Sequence, residues 1–212
     1  MKKDTFRPGL LDALVGTSRD EAAEILRSLE EVRDLSGAIC EFGVAQGCTS
    51  ALIANEIRDE PTVLHLFDSF RGLPTPSEED TLLDDIFNLG TMAAYAGQMS
   101  CPRAMVEDRL RAIEFPPVRI AIHAGFVADT LREVSALPLM VKFAYVDLDL
   151  YEGTRDALAW LDRVAVPGAV VIVDDYDFFS SGAKAAVDEF LFHSMKWSMK
   201  MGEHFVKLKR AA

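Results

Sequence analysis

Phe143-Ala144-Tyr145-Val146-Asp147-Leu148-Asp149-Leu150-Tyr151 and, later, Ala169-Val170-Val171-Ile172-Val173-Asp174-Asp175-Tyr176 decide how this chain folds. Each is a short apolar run, the second largely β-branched, closed by a pair of acids. Bounded by Pro167-Gly168 and by a helical pattern, such runs read as strands buried on both faces of a parallel sheet. Open α/β sheets take their ligands at the carboxyl ends of the strands, where these acids fall. Four carboxylates gathered there repel one another unless a cation or protons join them. Oxygen donors with no His or Cys beside them favour a hard divalent cation, Mg²⁺ above all. A metal-assisted active site is therefore expected at this rim. Aspartates at strand ends also cap the helices that follow, which accounts for one acid at each end more readily than for two.

Upstream, Glu41-Phe42-Gly43-Val44-Ala45-Gln46-Gly47 closes a first strand (38–44) and opens a helix (49–58). Gly43 and Gly47 permit a sharp turn and close approach to a ligand. The G-x-G-x-x-G spacing of dinucleotide sites is missing, and Glu41 sets a carboxylate where a pyrophosphate would lie. That charge suits a ligand ammonium, such as the amino-acid end of S-adenosylmethionine. Asp68, ending a second strand (63–67), is expected to accept hydrogen bonds from ribose hydroxyls. Gly125-Phe126 with Asp129 forms either the wall of an adenine pocket or only a helix cap. In all, the cofactor site is expected to take in Glu41, Gly43, Ala45, Gly47, Ser50, Asp68, Ser69, Gly125, Phe126 and Asp147.

The rest of the pattern alternates strand and helix: helices at 103–113, 128–134, 154–164 and 182–192, a strand at 118–123, and a closing antiparallel hairpin (197–200, 204–209). It predicts an α/β fold, one domain over 1–212, with a mostly parallel sheet and one reversed strand. Residues 1–36 form an N-terminal helical cap, with a helix over 17–35 started by Ser18 or Asp20. Residues 69–100 form an irregular insertion read as a lid. With 34 acids against 22 Lys and Arg, the net charge of −12 argues against nucleic acid or an anionic membrane as partner. Cys40, Cys48 and Cys101 show no metal-site spacing. With no signal peptide or membrane-length apolar run visible, a reduced, cytoplasmic protein is expected.

Taken in order, Glu41-Phe42-Gly43-Val44, Asp68-Ser69-Phe70-Arg71-Gly72-Leu73-Pro74, Gly125-Phe126 with Asp129-Thr130-Leu131, Asp147-Leu148-Asp149-Leu150-Tyr151-Glu152 and Asp174-Asp175-Tyr176 resemble the macrocin O-methyltransferase (TylF-like) family. The resemblance covers roughly residues 37–190. Its D-S-F-x-G-L-P and D-x-D-L-Y-E segments are specific, and its glycine loop is not. It implies a class I methyltransferase fold, S-adenosylmethionine as donor, Mg²⁺ as cofactor, and a sugar hydroxyl as acceptor, often on a glycosylated natural product. It further implies that Asp147, Asp174 and Asp175 hold the metal, that Asp149 is the general base, and that the protein is a homodimer or larger. This chain departs from the pattern at Leu148, where glycine is common, at Gln46, where arginine is common, and in a short segment before the first strand.

Asp149 follows Asp147 by two positions, so an extended chain would turn both carboxylates to one face. His65, His123, His193 and His204 are dispersed, with His123 the outsider that ends a strand near the site. Tyr176 is a candidate for the acceptor pocket wall. Three rivals stand beside the sugar O-methyltransferase. They are a metal-dependent methyltransferase of catechols or other vicinal diols, a nicotinamide-dependent oxidoreductase, and a non-catalytic methyltransferase-like protein.

Overall fold

Apolar runs with no polar face to turn to water become interior strands, and here they assemble into one sheet. The strands are β1 (Ala38–Phe42), β2 (Leu64–Asp68), β3 (Ile120–Ala124), β4 (Val141–Val146), β5 (Ala165–Val173), β6 (Trp197–Met201) and β7 (Val206–Arg210). The computed structural model describes residues 2–136 and 138–212, with side chains from Thr5 onward. The strand order is β3-β2-β1-β4-β5-β7-β6. All pairings are parallel except those of β7, which runs antiparallel to both β5 and β6. This is the class I methyltransferase arrangement, and β7 is the one reversed strand expected.

Strand alternation sends side chains to two helical layers. Phe42, Ala144, Val146, Val171 and Val173 pack with Leu131, Leu158, Trp160 and Val187 of α5 (Val127–Val134), α6 (Tyr151–Val164) and α7 (Gly182–His193). Ile39, Phe143, Tyr145, Val170 and Ile172 face the other way. They pack with residues such as Ile25, Ile53 and Leu110 of α2 (Arg19–Glu31), α3 (Cys48–Glu56) and α4 (Arg103–Ala112). The chain leaves β1 toward β2 on one side and β4 on the other. The carboxyl ends of β1, β4 and β5 therefore meet at the switch point of the sheet.

Several boundaries differ from the sequence expectation. A helix precedes the expected one: α1 (Lys2–Asp12) runs through Pro8 and is tied to α3 by an Arg7–Glu56 ion pair at 2.8 Å. Strand β1 stops at Phe42 because Gly43 turns to φ +82°. Strand β5 starts at Ala165 rather than after Pro167-Gly168. Gly168 adopts φ +81°, and the register against β4 shifts there, so the pair is absorbed as an irregularity within the strand. Helix α6 begins at Tyr151, before the expected Thr154. The segment 69–100 is largely irregular, as expected, apart from a 3₁₀ turn at Met92–Tyr95. It nevertheless has its own small core, in which Leu73, Met92 and Tyr95 pack on Leu150 and Phe179.

Candidate active site

A cavity of about 500 Å³ opens at this rim. Its floor is the β1 loop. Gly43 has no room for a side chain, because a Cβ would lie 1.6 Å from the Asp147 carbonyl oxygen. The glycine thus fits the loop against β4, in addition to supplying the turn. Gly47 is close against Val106 of α4 for a similar reason. Asp68 Oδ2 accepts hydrogen bonds from Val44 N (2.7 Å) and Ala45 N (3.0 Å), and Oδ1 accepts from Phe70 N (2.6 Å). The acid expected to meet a ribose therefore also braces the glycine loop. Gly43, Ala45, Asp68, Ser69, Gly125, Phe126 and Asp147 line the cavity, whereas Glu41, Gly47 and Ser50 do not. Glu41 Oε2 and Ser50 Oγ are buried without a hydrogen-bond partner, and burial pushes the Glu41 carboxyl up to about 8.

The second wall carries the acids. One carboxylate oxygen from each of Asp147, Asp149 and Asp175 lies within 4.8 Å of the other two, a spacing that a single hard cation can bridge. Asp147 and Asp149 do not come together by extended alternation. Asp149 has φ +62° and Asp175 φ +53°, left-handed conformations that cost an L-residue energy and gather at functional sites. Asp174 stands behind this trio. Its Oδ2 accepts from the Tyr145 hydroxyl (3.0 Å) and its Oδ1 from Asp175 N (2.8 Å).

A fifth acid, Glu21 of α2, is buried against Asp174 and Tyr145. Reading the sequence alone missed it, since Glu21 N follows its Ser18 cap (3.1 Å) as any first-turn acid would. Burial and the mutual repulsion of these groups hold all five carboxyls above the ordinary carboxylate range. No ion pair found among the described residues reaches any of them.

The remaining walls come from elements whose sequence carries little signal: Val15 and Gly16 before α2, Leu73, Ile86, Phe87 and Met99 of the 69–100 insertion, and Phe178-Phe179. Tyr176 is not on the wall. Its hydroxyl donates to Asp188 Oδ1 (2.6 Å) and accepts from Lys184 Nζ (2.9 Å). His123 also lies off the cavity, stacked on Phe67 and His65 with a ring-nitrogen contact of 3.0 Å. His204 lies close enough to Asp175 for the two to interact electrostatically. It pairs with Asp177 (2.9 Å), which raises its pKa, and its carbonyl accepts from Tyr176 N.

The sequence profile of the macrocin-O-methyltransferase (TylF) family matches residues 2–200. The 8-demethyl-8-(2,3-dimethoxy-alpha-L-rhamnosyl)-tetracenomycin-C 4'-O-methyltransferase of Streptomyces olivaceus is 26% identical over 172 residues, which is 80% of this chain and 64% of that protein. Demethyldecarbamoylnovobiocin O-methyltransferase of Streptomyces niveus is 28% identical over 190 residues, 86% of this chain and 69% of its own. The chain thus spans about two thirds of the length of these relatives. The solved structure of the O-methyltransferase NovP superposes with a TM-score of 0.76 at 25% identity, covering 91% of this chain and 80% of NovP.

Proposed function

Since this chain belongs to the macrocin-O-methyltransferase family, we propose that it is an S-adenosylmethionine- and Mg²⁺-dependent O-methyltransferase acting on a sugar hydroxyl of a glycosylated natural product. The observation that carries the reading is the union, in one cavity, of a glycine loop braced by Asp68 with a group of unpaired carboxylates. The names of the two relatives, one of them a rhamnosyl compound's methyltransferase, support a glycoside as acceptor.

The donor's methyl is already activated by its sulfonium, so the protein's task is to deliver an ionised oxygen in line with it. Gly43, Ala45, Asp68, Ser69, Gly125 and Phe126 are assigned to the donor, with the buried Glu41 carboxyl serving its ammonium. The resemblance assigns Asp147, Asp174 and Asp175 to the cation; Asp147, Asp149 and Asp175 are the three whose oxygens lie within 4.8 Å of one another, so Asp149 is a further candidate ligand beside them. A bound Mg²⁺ supplies Lewis acidity that lowers the pKa of an acceptor hydroxyl by several units. Asp149, two residues from Asp147 and among the same carboxylates, is read as the base that takes the hydroxyl proton, the role the resemblance gives it. Leu73, Ile86, Phe87, Phe178 and Phe179 give the rest of the cavity an apolar lining that excludes water from the transfer. The three free thiols support a reduced, cytoplasmic setting, and the family resemblance supports a homodimer. Among the described residues no helix is long and apolar enough to cross a membrane.

The test is transfer of a labelled methyl group to a panel of glycosides and catechols, with Mg²⁺ and with excess EDTA. Mg²⁺-dependent labelling of a glycoside is the expected result. Undiminished labelling in EDTA overturns the metal's role, and labelling of catechols alone overturns the sugar.

A further inference from the structure

Asp80 lies deep in the 69–100 insertion, is 6% exposed, and is joined to no basic side chain by the ion pairs of the described residues. Its two oxygens face different segments. Oδ2 accepts from Ser77 N (2.8 Å) and Ser77 Oγ (2.9 Å), while Oδ1 accepts from Tyr151 N (2.8 Å). Tyr151 is the first residue of α6, and Leu150 at the cap position offers no side-chain acceptor. Helix α6 is therefore capped by an acid from another part of the chain, where an anion also meets the positive end of the helix dipole.

Leu150, at that cap position, directly follows Asp149 in its left-handed turn. The same turn is held from a third side, where Ser180 Oγ donates to the Asp149 carbonyl (2.9 Å) and accepts from Gly182 N (2.9 Å). Thr81 N donates to Ser181 Oγ (2.8 Å), and Ser181 N donates to the Thr81 carbonyl (3.0 Å). Gly182 has no space for a Cβ, which would fall 1.8 Å from Asp80 Oδ1 and 2.5 Å from Tyr151 N. Insertion, β4–α6 turn and β5–α7 loop thus close on one carboxylate.

Resting on the function proposed above, we infer that Asp80 is a positioning residue: it fixes the β4–α6 turn so that the Asp149 carboxylate stays beside Asp147 and Asp175. The insertion then does two things at once. It walls the acceptor's side of the cavity and it holds the base in register, so the base is correctly set only when that wall is seated.

Two measurements on the full chain test this. In Asp80→Ala, amide hydrogen exchange over 148–154 should accelerate at least tenfold, with α3 unchanged. With the best acceptor from the panel, kcat should fall about 10–100-fold, as for loss of other residues that orient a functional group, while the KM for S-adenosylmethionine stays within about twofold. Asp80→Asn keeps an acceptor for Tyr151 N but turns its amide nitrogen toward Ser77 N, which loses its acceptor, so its kcat should lie between those of Asp80→Ala and the parent. In an Asp149→Asn background, Asp80→Ala should cost nothing further, because a positioning residue acts only through the group it positions. Losses that multiply in the double variant, or a parental kcat in Asp80→Ala beside a crippled Asp149→Asn, overturn the inference. An Asp149→Asn variant as active as the parent, or a panel with no acceptor, instead overturns the function beneath it. The Asp80 clasp is then decided by exchange alone, and unchanged exchange sinks it.

Discussion

The two walls of the cavity handle negative charge in opposite ways. On the β1–β2 side a single acid, Asp68, spends its oxygens on three backbone N–H groups of its own neighbourhood. On the β4–β5 side Asp147, Asp149, Asp174 and Asp175, with Glu21 behind, share one hydroxyl, one backbone N–H and each other. A satisfied acid is architecture, finished when the chain has folded. Carboxylates left facing one another raise the free energy of the fold and persist where a ligand completes them. The first wall should therefore respond to mutation through its shape, and the second through its charge.

The widest separation comes from Asp147→Ala. If the acid is a cation ligand, kcat should drop by roughly three orders of magnitude or more, the scale of losing several kcal/mol of transition-state stabilisation. The same change relieves like-charge repulsion, so the melting temperature of the metal-free protein should hold or rise. A variant that melts well below the parent while keeping its turnover would make Asp147 architecture after all. Next is Asp149→Asn, which keeps the shape of the turn and removes the base. A loss of roughly 10²–10⁴-fold in kcat is expected, with Mn²⁺ binding retained when measured by electron paramagnetic resonance. A near-parental rate removes Asp149 from the chemistry.

How far the sequence led differs between the same two walls. The strand-end acids were legible because four carboxylates on two apolar runs leave few bland readings, and the parallel sheet follows from runs with no polar face. Their arrangement was not. Asp149 reaches Asp147 through a left-handed turn set by Asp80, Ser180 and Gly182, residues distant in sequence. Helix α1 falls within the helical cap expected over 1–36, but its bounds were not legible, because Pro8-Gly9 argues locally against a helix and what holds it is tertiary: Phe6 and Leu10 pack on the α3 layer, and Arg7 pairs with Glu56. Glu21 looked like ordinary first-turn charge, since nothing local says that α2 turns that face to the sheet. The insertion's core is likewise invisible to periodicity, because Leu73, Tyr95, Leu150 and Phe179 come from separate segments without a repeat.

Asp68→Ala tests the first wall. Three backbone donors lose a charged acceptor, each such bond being worth about 1.5–3 kcal/mol when formed, though water can replace part of it at this open rim. The loop should loosen rather than the fold collapse. S-adenosylhomocysteine should then bind roughly 10–100-fold more weakly by calorimetry, with Mn²⁺ binding unaffected. A parental affinity would mean that the loop holds its shape without the acid. Weakened Mn²⁺ binding would mean that the two walls are not separate.

Glu41 blurs the contrast, being an unsatisfied acid on the otherwise satisfied side, and it yields the smallest and most diagnostic effect. Burial raises its carboxyl from an ordinary 4.5 to about 8. The folded protein thus keeps a proton through neutral pH that the unfolded chain gives up near 4.5. The stability tied to that proton is complete below pH 4.5 and is lost as the pH climbs through 8. Glu41→Gln carries no such proton. The melting temperature of the variant minus that of the parent should therefore grow from pH 5 to pH 9, and taking the difference cancels the titration of the other acids. A flat or shrinking difference would show that Glu41 is already ionised, with a partner for Oε2. An ammonium seated above Glu41 predicts the reverse for the ligand-bound protein. With S-adenosylhomocysteine present the parent should lose its pH-dependent deficit, while Glu41→Gln binds that ligand less tightly. If the deficit survives saturation with the ligand, the carboxyl serves the β1 layer alone and the ammonium is met elsewhere on the loop.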